Sequence, residues 1–174
     1  MLRSYTEADF EMLFMTRSDP DSVRWEYFEP QTEEEVRATL TRRIADTSIL
    51  AQGDAIALAA VLRTTGEPIG DLVLRLVSAD HAVGEIGYAV HRAHVGQGYA
   101  TEAARELLPI AFDGVGMHRV IGRLEARNDA SARLLEKLGM RREAHLVENE
   151  WVKGEWQSEL VYAILADEWR ASVG

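Results

Sequence analysis

Cysteine is absent from this chain of 174 residues. Disulfides, thiolate metal sites and a cysteine nucleophile are therefore excluded. Long apolar runs are also missing. No stretch approaches the roughly 20 residues that a membrane-spanning helix requires. Met1-Leu2-Arg3-Ser4-Tyr5 lacks the apolar core of a signal peptide, so a cytoplasmic location is the expectation. There are only 4 prolines, and no Pro/Gly-rich linker, repeat or low-complexity tract divides the chain. One domain spanning 1–174 is the simplest reading. Positive charge is scarce, with 19 Lys and Arg against 29 Asp and Glu and a net charge of -10. An acidic surface repels phosphate, which argues against nucleic acid as the main partner. It suits a cationic substrate such as an amine, and it also serves solubility.

What is present patterns clearly. Thr6-Glu7-Ala8-Asp9 reads as a helix start, with Phe10, Leu13 and Phe14 following at helical spacing and Asp19-Pro20-Asp21 ending the run. Thr32-Glu33-Glu34-Glu35 is a capping box ahead of the Val36, Leu40, Ile44 stripe. The acids Glu33 to Glu35 complement the dipole of the helix they begin. Ala55–Arg63, Pro68–Val77 and Val83–Val90 read as three strands of an antiparallel meander. Tyr99–Phe112 is an amphipathic helix that Pro109 should bend. A strand at Arg119–Leu124 and a helix at Asn128–Leu138, stopped by Gly139, come next. Arg142–Val152 and Trp156–Leu165 flank Lys153-Gly154, a hairpin signal. With a short first strand the order is β-α-α-β-β-β-α-β-α-β-β. This is an α+β, mixed arrangement whose second half pairs locally in parallel.

The most telling stretch is Val95-Gly96-Gln97-Gly98-Tyr99-Ala100, between the third meander strand and a helix. Glycines at a helix start leave backbone N–H groups bare, and the helix dipole adds partial positive charge there. Such a loop holds a pyrophosphate without Lys or Arg. No Gly-Lys-Ser/Thr follows, so a kinase-type phosphate loop is not indicated. His91 and His94 are three apart, but no third ligand stands at a defined spacing, so no metal is expected.

Four ordered motifs carry a resemblance. They are Glu85-Ile86-Gly87-Tyr88, Gly96-Gln97-Gly98-Tyr99-Ala100-Thr101-Glu102-Ala103, Asn128-Asp129-Ala130-Ser131 and Leu135-Glu136-Lys137-Leu138-Gly139-Met140. The tail Trp151-Val152-Lys153-Gly154-Glu155-Trp156 fits with them. Over almost its whole length the chain resembles a GNAT-superfamily N-acetyltransferase of the RimJ/RimL type. The resemblance implies the GNAT acyl-CoA N-acyltransferase fold, a central mixed, mostly antiparallel seven-stranded sheet flanked by helices. It implies acetyl-CoA as co-substrate, no metal, and an amine acceptor that is a peptide N-terminus or a small molecule. Proteins of this type are often dimers, so a homodimer is an expectation.

The same resemblance assigns roles. Val95, Gly96, Gln97, Gly98, Tyr99 and Ala100 would cradle the pyrophosphate. Val95 departs from the longer polar residue common at that position, which removes one side-chain contact and leaves the backbone cradle. The third meander strand would separate from Arg119–Leu124, so that the pantetheine arm lies along Tyr88, Ala89 and Val90. A backbone N–H there would face the thioester oxygen. Asn128 would cap its helix and bond the pantetheine, and Arg133, with Lys137 four residues on, could reach the cofactor's 3′-phosphate. Ser131 matches the serine of the Asn-x-x-Ser motif and is the candidate acid for the departing thiolate. Leu134 and Leu135 stand where many such enzymes carry a tyrosine. Glu85, alone in an apolar strand, is the candidate base for the incoming amine. Trp25 and Tyr27, in Arg24-Trp25-Glu26-Tyr27-Phe28-Glu29-Pro30, mix aromatics with acids as an amine cation prefers. The rival expectation is a non-catalytic acyl-CoA-binding or regulatory module on the same fold.

Overall fold

The computed structural model describes residues 1–173. One sheet of seven strands organises them, in the order β1-β2-β3-β4-β5-β7-β6. The strands are β1 (Leu2–Ser4), β2 (Ala55–Val61), β3 (Pro68–Ser78), β4 (Val83–Val90), β5 (Arg119–Glu125), β6 (Arg141–Val152) and β7 (Glu155–Leu165). Every neighbouring pair is antiparallel except β4–β5, which is parallel. The mixed, mostly antiparallel expectation is met.

The helices are α1 (Phe10–Ser18), α2 (Glu33–Ala45), α3 (Tyr99–Pro109), α4 (Asp129–Lys137) and α5 (Ala166–Val173). The Thr32 capping box forms as read, with Thr32 Oγ1 accepting from Glu35 N–H. Thr6 starts a single 3-10 turn over Glu7–Asp9 that leads into α1. Two cores result. Val36 and Leu40 of α2 and Met12 and Leu13 of α1 cover one face of the sheet against Ala57 and Ala59. Leu107, Leu108, Leu134 and Leu135, from α3 and α4, cover the other against Leu72, Leu74 and Ile86.

Two readings need correction. Pro109 does not bend a helix running to Phe112. The α-helix ends at Pro109, and a π-helical segment over Ile110–Val115 follows it directly. The element order also lacks its last member, α5. Its Trp169 is buried and stacks on Phe112 at 5.2 Å. The β6–β7 hairpin turns at Lys153 and Gly154, both at positive φ (53° and 78°), as its twist requires. Trp151 and Trp156 face each other across it edge to face at 5.3 Å.

Candidate functional site

The parallel pair β4–β5 is short. Register partners run only from Val83↔Arg119 to Glu85↔Ile121. Beyond them the strands diverge, leaving the Ile86–Val90 edge of β4 without a strand on that side. A cavity of about 870 Å³ opens at this divergence. Gly87 helps to make it, since a Cβ built there meets nothing within 4 Å. The small residue opens space; it does not serve close packing.

At one end of the cavity stands the glycine loop. Gly96 and Gly98 both take left-handed backbone (φ 83° and 86°), and Gly98 is the N-cap of α3. A single 3-10 turn, Arg92–His94, feeds the loop. The N–H groups of Gly96, Gln97 and Gly98 donate to nothing among the described residues. They stand beside the unpaired first-turn amides of α3. This is a cradle for an anion, and its residues fit a pyrophosphate. Val95, Gly96, Gly98, Tyr99 and Ala100 line the cavity, as do Arg133 and Lys137 on the facing helix. Gln97 is the exception among the predicted residues. Its side chain turns back to the Ala93 carbonyl at 3.3 Å, and it is not part of the lining.

The middle of the cavity brings β4 to α4. Asn128 caps α4, its Oδ1 accepting from Ser131 N–H at 3.1 Å. Ser131 Oγ lies 2.7 Å from the Tyr88 hydroxyl. Sequence reasoning used only the backbone of Tyr88; the phenol contact joins groups 43 residues apart and has no local signal. Burial pushes the Tyr88 phenol up to about 12, with the Ser131 hydrogen bond opposing, so it is protonated at neutral pH.

The far end is acidic. Glu85 is half-buried and makes no hydrogen bond or ion pair among the described residues. Burial raises its proton affinity above the usual carboxylate range; Arg123 opposes this and Glu159 adds to it. Glu159 is only 1% exposed. Its Oε2 accepts from Arg123 (3.0 Å) and from the Tyr27 hydroxyl (3.1 Å). Its Oε1 lies 2.8 Å from the same guanidinium nitrogen but outside hydrogen-bond geometry. Tyr27 is 40% exposed, and Trp25 is half-buried beneath the Arg24 guanidinium at 4.5 Å. Glu26, between them, lines the cavity as well, and burial raises its proton affinity too. The sequence offered Glu26 only as one acid of an aromatic segment. Its loop is held from the hairpin tip, where the Lys153 ammonium donates to the carbonyls of Val23, Arg24 and Glu26.

The arrangement thus joins a phosphate cradle to a carboxylate-lined chamber through a gap between strands. Comparison with known proteins fits that geometry. The acetyltransferase (GNAT) domain model matches residues 1–141. The N-acetyltransferase YnaD of Bacillus subtilis is 28% identical over 169 residues, covering 97% of this chain and 95% of its own. A GNAT-family acetyltransferase structure from Bacillus anthracis superposes with a TM-score of 0.85 at 28% identity, covering 95% of this chain and 94% of that one. The spermidine N-acetyltransferase of Vibrio cholerae, in complex with CoA and spermine, has the same fold. Its TM-score is 0.84 at 19% identity, over 98% and 97% of the two chains. A cradle for pyrophosphate at the head of α3 and a family match over most of the sequence lead to one assignment: the chain belongs to the GNAT acetyltransferases and transfers acetyl groups from acetyl-CoA.

Proposed function

We propose that the acceptor is a primary amine, attacked directly while both substrates are bound, in an enzyme of the RimJ/RimL type. The observation that carries this is the continuity of one cavity from the Gly96–Ala100 cradle, past the free edge of β4, to Glu85. One cavity thus serves both the cradle and the carboxylate end, and no cysteine exists to carry the acetyl group between two substrates. The ordered motifs from Glu85 to Met140 support the subtype. The amine acetylated by the Vibrio neighbour supports an amine as acceptor.

Acetyl-CoA supplies an activated acetyl thioester. Glu85 removes a proton from the incoming ammonium, directly or through a water, which its raised proton affinity suits it to do. Ser131 gives its Oγ proton to the departing sulfur, and Tyr88, at 2.7 Å, holds the serine and re-protonates it. Amides along Tyr88–Val90 stand where negative charge develops. Steady-state kinetics with acetyl-CoA and an amine panel, following free thiol, test the order of events. Intersecting double-reciprocal lines are expected; parallel lines would mean an acyl-enzyme and end this reading.

Two variants probe the parts. Gly98→Ala meets no clash, because nothing lies within 4 Å of its Cβ, but it forces a side chain into left-handed backbone. That conformation costs about 1–2 kcal/mol, so the free loop relaxes out of it and CoA binding must restore it, and affinity measured by calorimetry falls roughly tenfold or somewhat more. An unchanged Kd would remove the loop from the cofactor site. Ser131→Ala lowers kcat by about 10², the low end for general acids, because a thiol of pKa about 8.5 leaves with little help. Tyr88→Phe lowers kcat less, and the double variant is no worse than Ser131→Ala alone. Additive losses would show that the two hydroxyls act separately.

A further inference from the structure

A smaller recess of about 100 Å³ adjoins the cavity on the α1–α2 side of β4. Glu26 and the Gly87–Ala89 segment border both spaces. The end of the recess is formed by Arg17, Phe28, Arg43 and Asp71. Most of its charge is internally matched. Asp71 accepts two hydrogen bonds from Arg43, both at 2.9 Å, and one from the Tyr5 hydroxyl at 2.8 Å. Arg17 is different. Its Nε donates to Gln31 Oε1 at 2.7 Å and its guanidinium lies on the Phe28 ring at 4.2 Å. Asp71 approaches it only to 3.7 Å. The two terminal nitrogens of Arg17 donate no hydrogen bond among the described residues. They form an oriented fork with its donors free.

Glu26 faces the same recess, and its carboxylate makes no hydrogen bond or ion pair among the described residues. Arg17 and Glu26 line one recess of about 100 Å³ and form no ion pair with each other. Anchors keep them apart. Phe28 and Gln31 hold Arg17, and Lys153 holds the backbone at Glu26. A recess lined by a guanidinium whose terminal nitrogens donate no hydrogen bond and by a carboxyl group without a partner among the described residues is the complement of a zwitterion. We propose that this recess recognises the acceptor by its carboxylate, and that the acceptor is a small α-amino carboxylate, with its carboxylate on the Arg17 fork and its ammonium at the Glu26 border of the main cavity, which Glu85 also lines. This rests on the reading of an amine acceptor.

The alternatives fit less well. A lone anion would meet the Glu26 and Asp71 carboxyl groups that line the same recess. A polyamine would leave the Arg17 donors unmatched and set cation against cation. The volume also suits the head of an amino acid, since a single water needs only about 10–15 Å³ on this scale.

The test begins with the unaltered enzyme, so folding of a variant does not enter. Binding of individual L-α-amino acids and of their carboxamides is measured by calorimetry with CoA present, and thiol release from acetyl-CoA is followed with the same compounds, spermidine and neutral peptides. At least one amino acid is expected to bind and be acetylated with kcat/KM about tenfold or more above its carboxamide. Arg17→Gln and Arg17→Lys then raise KM for the acid by a larger factor than KM for the carboxamide, so the preference between the two falls, with more of it kept in Arg17→Lys. Equal use of acid and carboxamide overturns the proposal, as does preference for spermidine or a neutral peptide, or the absence of any amino-acid binding. Thiol release with those other amines would keep the amine-acceptor reading while this one fails. No thiol release with any amine would remove both.

Discussion

Glu85→Gln is expected to lower kcat/KM by roughly 10²–10⁴, the range for loss of a positioned general base. The variant is nearly isosteric, and Glu85 makes no contact that the change would break, so stability should hold. The pH profile carries the sharper signature. Burial is the largest influence on Glu85 and favours the protonated form. Activity that needs the carboxylate therefore rises with pH, and its acid limb lies above the ordinary glutamate value of about 4.3. In Glu85→Gln that limb disappears from the residual rate, while any alkaline limb set by the thiol or the amine stays. Glu26 offers a built-in control, since burial moves its proton affinity in the same direction. If Glu26→Gln abolishes the limb and Glu85→Gln leaves it in place, the base is Glu26. If both single variants keep it, neither carboxylate serves.

The cofactor end was legible in the sequence because its chemistry is local. Two glycines at left-handed φ, a helix start and a bare run of amides all lie within Val95–Ala100. Strand β4 was read to its ends because Gly84, Gly87 and Ala89 break an otherwise apolar run. The hairpin was marked by Lys153-Gly154, whose positive φ values need that kind of residue pair. The acceptor end was only half legible. Trp25 and Tyr27 stood out as aromatics among acids, and Glu26 between them counted only as one of those acids. Arg17 drew no reading from the sequence. What makes these two residues notable is that the Glu26 carboxyl and the terminal nitrogens of Arg17 make no hydrogen bond among the described residues, and that appears only when α1, α2, β3 and the Arg24–Pro30 segment are assembled. Tyr88 and Ser131 meet for the same reason, through the packing of α4 on the sheet. The missed α5 has a simpler cause. In eight residues it offers Trp169 and little else apolar, too short a span for helical periodicity to register.

Asp71→Asn should be the most destabilising conservative change in the molecule, by about 3–5 kcal/mol. Asp71 is 4% exposed and lies on the middle of β3, opposite Ala89 of β4. It neutralises Arg43 through two hydrogen bonds, accepts from Tyr5 and faces Arg17. The amide keeps the shape but loses the charge, and it presents a donor where an acceptor is needed. Two half-buried guanidinium groups would then lose their shared counter-ion. For a domain of this size the loss corresponds to a fall in Tm of roughly 10 °C. Urea unfolding should show a lower midpoint at unchanged slope, because the surface exposed on unfolding does not change. The pair Asp71→Leu with Arg43→Met should recover part of the loss, since removing both charges also removes the cost of desolvating them. A loss under about 1 kcal/mol, within the range of an exposed ion pair, would show that water reaches this cluster freely. The same variant bears on the acceptor site. Asp71 holds the Glu26 proton affinity up, so its neutralisation lets Glu26 ionise at lower pH. Any part of the acid limb that belongs to Glu26 then moves downward, while the Glu85 limb stays where it is.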